Sequence, residues 1–286
     1  MKLLTYLRDG AVRHGRLHDG DRVQEFGDGD LTVWLRAPAG PPAGPTYALA
    51  GLRVLAPIPA PAKLIGVAAN YQDHVTESGA APLDRGRLAP RLFLMPPTAV
   101  AGPGDPIPLP KVSEQVDWEA ELAVVIGATV KDVVVADALA AVAGYTVGND
   151  VSARSMSYGY ERDNGDPAVG FFDWLAGKWL DGFAPLGPYL VTADEVPDPQ
   201  ALDIELRVNG AVKQRGSTKD MIFTVAELVA FASALMTLHP GDVLLTGTPA
   251  GVGVTSGEFL SAGDEVSASI VGLGFLINPV SPRETP

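Results

Sequence analysis

The chain has 286 residues, 47% of them apolar and 19% charged, a composition typical of globular rather than disordered proteins. Its net charge of −13 comes without a concentrated basic patch and argues against nucleic acid as a partner, and no apolar run approaches the roughly 20 residues of a membrane span. Because there is no cysteine, disulfides, thiolate catalysis and Cys-ligated zinc are excluded, and any metal must be held by oxygen or imidazole.

The first part of the chain predicts short strands, at residues 3–7, 15–17 and 23–26, joined by turns. Charge interrupts the start before a signal-peptide core can form, so we expect a cytoplasmic protein that does not enter the membrane. A run rich in Pro, Ala and Gly at residues 37–45, followed by Pro57, Pro59 and Pro61, indicates a connection. We therefore predict a small β-rich N-terminal domain at residues 1–59 and a larger domain at residues 60–286.

A strand is expected at residues 63–67, and the polar segment that follows carries His74 and Glu77. One helical turn would bring the imidazole and the carboxylate together. Such a pair can activate water, with Glu77 orienting the ring and His74 accepting the proton, although an ordinary surface pair has the same spacing. The charged stretch at residues 77–90, punctuated by Gly and Pro, is interpreted as a loop or lid beside a site.

After the apolar run at residues 92–95, the next strand is expected at residues 119–126. Side chains at alternate strand positions share a face, which would set the carboxylates of Glu119 and Glu121 side by side. A hard cation such as Mg²⁺, Mn²⁺ or Ca²⁺ would relieve their repulsion through oxygen ligands. The alternative is a solvated strand face.

A helix is expected at residues 135–143, then a strand at residues 145–149 that ends at Asp150. The chain is predicted to turn into a helical segment there. Asp150 would either reach a shared site or cap that helix. Arg154 would either bind a substrate carboxylate or pair with Glu161 on the surface.

Further strands are expected at residues 189–192, 204–208, 243–246 and 265–270, and a helix at residues 224–236 with Thr224 and Glu227 as a capping box. The glycine-rich loop that follows the strand at residues 243–246 includes Gly247 and Thr248. Its glycines permit close approach to a ligand, and Thr248 can hold an oxygen, but a tight turn without a ligand would look the same. The whole pattern predicts a mainly β (α+β) fold with a few helices.

Five segments, NYQDHxxE, DWEAELAVVIG, GYTVGNDVSAR, KWLDGFAPLGP and PGDVLLTGTPAGVG, occur in an order that resembles the catalytic domain of the fumarylacetoacetate hydrolase family over about residues 62–280. The resemblance implies a fold of rolled mixed sheets, a small N-terminal domain and a homodimer. It implies Mg²⁺ or Mn²⁺ on Glu119, Glu121 and Asp150. It also implies the following roles: His74 and Glu77 as the water-activating dyad on a lid, Lys178 as a catalytic cation, and Tyr71, Arg154, Gly247 and Thr248 as substrate contacts.

Two positions depart from the family pattern. Met95 stands where a lysine is usual, and Ser157 where a glutamine is usual. Each change removes a long polar side chain from a position expected to contact substrate, which suggests a less anionic or bulkier substrate. The milder alternative is that both positions lie outside the site.

The function expected from these residues is metal-dependent hydrolysis of a carbon–carbon bond in a small oxo-acid or diketo-acid, with the metal stabilising an enolate. Family members on the same scaffold leave open an oxo-acid decarboxylase, an isomerase or a hydratase. A different class also stays open, a catalytically silent protein that binds a metal or ligand, because Met95 and Ser157 depart from the pattern.

Overall fold

A computed structural model describes residues 1–37, 44–163 and 165–283. Its strands in chain order are β1 (Lys2–Arg8), β2 (Ala11–His18), β3 (Arg22–Asp28), β4 (Thr46–Ala48), β5 (Arg53–Val54), β6 (Leu64–Ala68), β7 (Arg91–Met95), β8 (Val100–Ala101), β9 (Ile107–Pro108), β10 (Gln115–Asp117), β11 (Ala120–Ile126), β12 (Val142–Asn149), β13 (Ser152–Arg154), β14 (Ala184–Thr192), β15 (Asp203–Val208), β16 (Ala211–Ser217), β17 (Val243–Leu245), β18 (Glu265–Ile270) and β19 (Gly274–Ser281).

The helices of the described residues are short. They are α1 (Leu31–Arg36), α2 (Gln72–Glu77), α3 (Val135–Ala138), α4 (Pro167–Ala176), α5 (Val225–Leu235) and α6 (Gly253–Ser256), with 3₁₀ turns at Leu49–Gly51, Arg85–Arg87, Pro97–Ala99, Leu139–Ala141, Ala193–Glu195 and Thr218–Asp220. No helix among them is long and apolar enough to cross a membrane.

The strands form a large mixed sheet with the order β4-β3-β2-β1-β14-β12-β11-β17-β6-β7, to which β5 and β8 attach. A five-stranded sheet has the order β16-β15-β18-β19-β9, and β10 pairs with β13. Neither of the two larger sheets closes on itself within the described residues. The mainly β fold predicted from the sequence is therefore confirmed.

The core lies between the large sheet and the five-stranded sheet. Every residue of β11 is buried, because the strand is central in its sheet and both of its faces are covered: one packs against the five-stranded sheet, and the other packs in a second apolar cluster that includes α1. Leu122 and Val147 from the large sheet share one apolar cluster with Leu206 and Val266 from the other. This burial fixes the register of β11 and of the acidic residues at its start, since a slip by one residue would turn its side chains to the opposite face.

The N-terminal segment joins the large sheet by hydrogen bonding, because β1 pairs antiparallel with β14 through Lys2 opposite Val191 and Leu3 opposite Leu190. The domain boundary near residue 59 remains a prediction. The connecting run at residues 37–45 lies mostly outside the described residues.

Two helical expectations were wrong. The helix expected at residues 135–143 ends at Ala138, because a 3₁₀ turn follows and Val142 must begin β12, opposite Ile126. The segment after Asp150 is not helical but forms β13, whose pairing with β10 sets Arg154 opposite Gln115. The helix with Thr224 and Glu227 is confirmed, and both hydrogen bonds of its capping box are present.

Candidate active site

Strand pairing brings the three acidic residues together. In the β11–β12 ladder Ala120 lies opposite Asn149. Glu119, just before β11, and Asp150, just after β12, are therefore the next facing pair. The Asp150 amide donates to the Glu119 carbonyl oxygen at 2.9 Å. Glu121 lies two residues from Glu119, and carboxylate oxygens of all three residues are within 4.8 Å of one another. The neighbourhood of Glu119 and Glu121 expected from strand periodicity is therefore present.

The three acidic residues are buried, each at most 6% exposed as a whole residue, which rules out the solvated strand face. They line a cavity of about 60 Å³. Asp150 Oδ1 is buried without a hydrogen-bond partner among the described residues. A buried oxygen of this kind needs a donor or a cation, and carboxylate oxygens are what hard divalent cations prefer. The donor set therefore fits a divalent metal ion.

Lys178 lies between two of these carboxylates. Its Nζ donates to Glu119 Oε2 and to Asp150 Oδ2, both at 2.7 Å, and the side chain is 2% exposed. The residue follows α4 and Gly177, whose missing side chain allows a close approach, since a Cβ there would lie 2.2 Å from the Ala153 carbonyl oxygen. The glycine thus permits the backbone contact that brings Lys178 to the cavity.

Arg154 is bound to two acidic residues rather than to Glu161, so the second of its two alternatives, the surface pair, is wrong. Its Nη2 lies 2.6 Å from Glu119 Oε1 and 3.0 Å from Asp117 Oδ2, and its Nε lies 3.2 Å from the latter atom. Arg154 also lines the cavity. Asp117, Glu119, Glu121 and Asp150 together face the cations Lys178 and Arg154, which leaves an excess of two negative charges among these described groups if all are ionised.

The pKa values reflect this imbalance. Burial raises the pKa of Glu121 well above its ordinary value, and the neighbouring Asp150 and Glu119 raise it further. Burial also raises the pKa of Asp150, against the opposing effect of Lys178. The pKa of Glu119 is lowered although burial by itself would raise it, because Lys178 and Arg154 stabilise its ionised form. Without a further cation, burial therefore favours the protonated forms of Glu121 and Asp150, and a bound divalent ion would favour their ionised forms.

The predicted His–Glu pair is formed within α2, three residues apart, and neither side chain is fully exposed. His74 Nδ1 lies 2.6 Å from Glu77 Oε1, and His74 lines the same cavity as the carboxylates. The other oxygen of Glu77 accepts from the Gly251 amide at 2.8 Å and from Thr255 Oγ1 at 3.1 Å. Burial would raise the pKa of Glu77, but these bonds outweigh it and the pKa is lowered. The arrangement leaves His74 Nε2 to accept a proton.

The glycine-rich loop after β17 contacts the site through its backbone. The Gly247 amide donates to Glu121 Oε2 at 2.6 Å. Thr248 lines the cavity, while its hydroxyl donates to the Ala120 carbonyl oxygen and accepts from Gln214 Nε2, each at 2.8 Å. The Tyr71 hydroxyl is buried and has no hydrogen-bond partner among the described residues. The substrate-binding roles of these residues remain predictions.

The two departures from the family pattern do not line this cavity in the described part of the chain. Met95 is buried in an apolar cluster with Ile58 and Leu64. Ser157 is exposed, and its amide donates to the Val112 carbonyl oxygen at 2.7 Å. This placement agrees with the milder alternative, that both positions lie outside the site.

Several residues of the site carried no assigned role in the sequence. Asp117 accepts from the amides of Gly253 and Val254 as well as from Arg154. Its position two residues before Glu119 could have indicated that it shares a face with Glu119 and Glu121. Phe93 and Trp174 form an apolar side of the cavity, with ring centroids 5.1 Å apart. Trp174 lies on α4, a helix that the sequence did not predict.

A mainly β fold that buries three adjacent carboxylates beside a His–Glu pair defines a carboxylate-lined enzyme-type site suited to a hard divalent cation. The model of the Fumarylacetoacetate (FAA) hydrolase C-terminal family matches residues 63–281, and the chain belongs to this family. The resemblance noted in the sequence is thereby confirmed.

Relatives and solved structures cover nearly the whole chain. Human mitochondrial oxaloacetate tautomerase is 44% identical over 258 residues, covering 90% of this chain and 77% of the human one. The structure of 2-hydroxyhepta-2,4-diene-1,7-dioate isomerase from Mycobacterium marinum has a TM-score of 0.80 and 36% identity, with all of both chains covered. Fumarylacetoacetate hydrolase from Exiguobacterium antarcticum has a TM-score of 0.82 and 36% identity, covering 99% and 100%. Named activities among these proteins include tautomerase, isomerase and hydrolase.

Proposed function

We propose that this protein is a divalent-metal-dependent hydrolase that cleaves a carbon–carbon bond in a small oxo-acid, with acylpyruvates as the substrate class. One observation carries the proposal: His74, hydrogen-bonded to Glu77, lines the same cavity as Glu119, Glu121 and Asp150. A base for water therefore lies beside a candidate cation site. The E. antarcticum relative, named as a fumarylacetoacetate hydrolase, supports this activity.

Glu119, Glu121 and Asp150 would hold Mg²⁺ or Mn²⁺, in keeping with the orphaned Asp150 oxygen and the excess negative charge of the cluster. When bound, such an ion supplies Lewis-acid stabilisation for negative charge that develops on substrate oxygens. Arg154 and Lys178 are committed to the carboxylates. We assign them the roles of fixing the ligand oxygens and of holding positive charge at the cavity wall.

The dyad would perform the hydrolytic step. Glu77 holds Nδ1 of His74 and stabilises the imidazolium, while Nε2 removes a proton from water. The water oxygen bonds to the distal carbonyl carbon of the acylpyruvate, and the carbon–carbon bond then breaks with its electron pair going to the pyruvate fragment. His74 returns its proton to the carbon of the pyruvate fragment that received the electron pair, which becomes the methyl group of pyruvate. The products are a carboxylic acid and pyruvate, and all atoms balance.

Oxaloacetate tautomerisation is the second candidate, because the human relative is named for it and is 44% identical. Decarboxylation and the isomerisation named for the M. marinum relative also require no attacking water. We favour hydrolysis because a His–Glu pair held by three hydrogen bonds to Glu77 suits the activation of water. We further propose a small oxo-acid as the partner, and a homodimer as the assembly.

The test compares three reactions of the purified protein with MgCl₂, MnCl₂ or EDTA: cleavage of acetylpyruvate, decarboxylation of oxaloacetate and its enol–keto conversion. We expect metal-dependent formation of pyruvate and acetate from acetylpyruvate. His74→Ala should lower this rate by about 10²–10⁴-fold, the usual contribution of a general base. His18→Ala is the matched control, since His18 lies on β2 and pairs with Asp19.

If the protein converts oxaloacetate but leaves acetylpyruvate intact, the proposed hydrolysis is wrong and the second candidate takes its place. If acetylpyruvate is cleaved equally well by wild type and His74→Ala, the dyad assignment is wrong. Cleavage that EDTA does not affect would remove the metal from the proposal.

A further inference from the structure

An apolar groove adjoins the carboxylate cavity. It has a volume of about 630 Å³, against about 60 Å³ for the acidic cavity, and the two share Ala68, Phe93 and Trp174 as walls. Eight of its nine lining residues are apolar. The ninth, Arg91, is exposed at the start of the edge strand β7. The groove is thus a continuation of the proposed active site with a different chemical character.

Aromatic rings form one side of this groove. The ring of Trp174 lies 5.1 Å from that of Phe93, which borders the acidic cavity. It lies 6.0 Å from that of Phe171, three residues earlier on α4. Phe171 is 56% exposed. On another side, Trp179 Nε1 donates to the Leu94 carbonyl oxygen at 3.0 Å, which fixes the indole against β7. A continuous apolar wall therefore leads from the acidic cavity outward.

Exposed apolar area of this kind is unfavourable in water and marks a place where an apolar group binds. The acidic cavity is too small to hold more than the head of a substrate. A tail attached to that head must continue along the shared walls formed by Ala68, Phe93 and Trp174. The mainly apolar lining suits hydrocarbon better than a second carboxylate, since Arg91, at its exposed edge, is its single cation among the described residues.

We propose that the groove between β7 and α4 binds an apolar tail of the substrate, so that the preferred substrate is an oxo-acid carrying an alkyl chain of several carbons or an aryl group. The inference rests on the proposed function, because it takes the carboxylate cavity as the site of the oxo-acid head. It adds Phe171, Trp174 and Leu94 as residues that determine specificity.

Binding of stable oxo-acid mimics tests the groove apart from turnover. Calorimetry with the Mn²⁺-loaded protein would compare oxamate, N-butyloxamate and N-hexyloxamate. Each methylene that becomes buried should improve affinity by about fourfold, so the hexyl compound should bind at least about tenfold more tightly than oxamate even with partial burial. Phe171→Ala should reduce that advantage by about threefold or more.

Phe172→Ala is the matched control, because Phe172 is 60% exposed on the same helix but does not line the groove. It should leave the tail dependence unchanged. Equal affinity for all three compounds would overturn the inference while leaving the metal site intact. Failure of oxamate itself to bind would instead refute the oxo-acid site of the proposed function.

Two further readouts separate other occupants of the groove. If light scattering shows that Phe171→Ala dissociates an oligomer while the tail dependence persists, a second copy of the chain covers the groove and the inference is wrong. It is also wrong if a tail ending in a carboxylate binds more tightly than the matched alkyl tail and Arg91→Gln abolishes that preference. If Phe171→Ala and Phe172→Ala reduce the affinity gained from the tail by the same factor, the assigned position of the tail is refuted.

Discussion

Replacing Lys178 by Met tests the electrostatic basis of the site. Lys178 Nζ lies 2.7 Å from an oxygen of Glu119 and 2.7 Å from one of Asp150, and the ammonium is almost wholly buried. At an effective dielectric constant of about 20, each contact represents roughly 6 kcal/mol of gross attraction. Desolvation of the ammonium offsets much of this, and removal of one partner of a buried pair typically costs about 3–5 kcal/mol.

We therefore expect Lys178→Met to lose about 3–5 kcal/mol of unfolding free energy in EDTA, measured by urea titration at neutral pH. The variant leaves the carboxylates with a larger excess of negative charge, so a divalent cation should bind it more strongly than it binds wild type. Adding MnCl₂ should therefore raise the urea midpoint of Lys178→Met more than that of wild type.

Lys63→Met provides the control, because Lys63 forms a lysine–aspartate pair of the same length, 2.7 Å, with the buried Asp242 outside the site. Its response to Mn²⁺ should equal that of wild type. The reasoning would be refuted if Lys178→Met were as stable as wild type in EDTA. It would also be refuted if Mn²⁺ stabilised both lysine variants equally.

Three other predictions concern single groups. Asp150→Asn replaces a proposed carboxylate ligand by a neutral amide. The Mn²⁺ affinity of the variant, measured by calorimetry, should fall by more than about tenfold, and an unchanged affinity would exclude the carboxylate as a ligand. The pKa of Glu77 lies below its ordinary value of 4.5, so its ionised form stabilises the fold above that pH and this contribution is lost as the pH falls through the lowered pKa. Urea titrations below about pH 4.5 should therefore show a smaller acid-induced loss of stability for Glu77→Gln than for wild type; equal losses would contradict the assignment. Thr255→Val removes the hydroxyl bond to Glu77, which should lower kcat for acetylpyruvate about threefold without changing KM, and a change confined to KM would contradict a positioning role.

Local rules were sufficient for much of the fold. The capping box predicted the start of α5 because both of its hydrogen bonds are made within four residues. The helix expected at residues 135–143 failed because pairing of Val142 with Ile126, distant in sequence, ends it. The helix expected after Asp150 failed in the same way, since β13 is held by β10. Long-range strand pairing overrode local pattern in both cases.

The same distinction between local pattern and long-range pairing applies to the site. The neighbourhood of Glu119 and Glu121 follows from the two-residue period of a strand, and that of His74 and Glu77 from one helical turn. The meeting of Asp150 with Glu119 depends on the β11–β12 register, which periodicity alone does not determine. Family resemblance supplied that link. Nothing in the spacing indicated that Phe93 and Trp174 would meet beside the carboxylates.

The loop after β17 explains how separate parts of the site are held in one arrangement. The amides of Gly247 and Gly251, and that of Gly253 where the loop enters α6, donate to Glu121, Glu77 and Asp117, three carboxylates from three distinct segments. Gly247 and Gly251 have φ angles of +92° and +107°, which residues with a side chain rarely adopt. At Gly253 a Cβ would lie 2.1 Å from the Glu258 carbonyl oxygen. A tight turn alone would account for positive φ angles but not for amide bonds to three carboxylates. Three glycines, each donating to a different site carboxylate, indicate that the loop fixes the proposed metal ligand, the dyad and the arginine partner relative to one another.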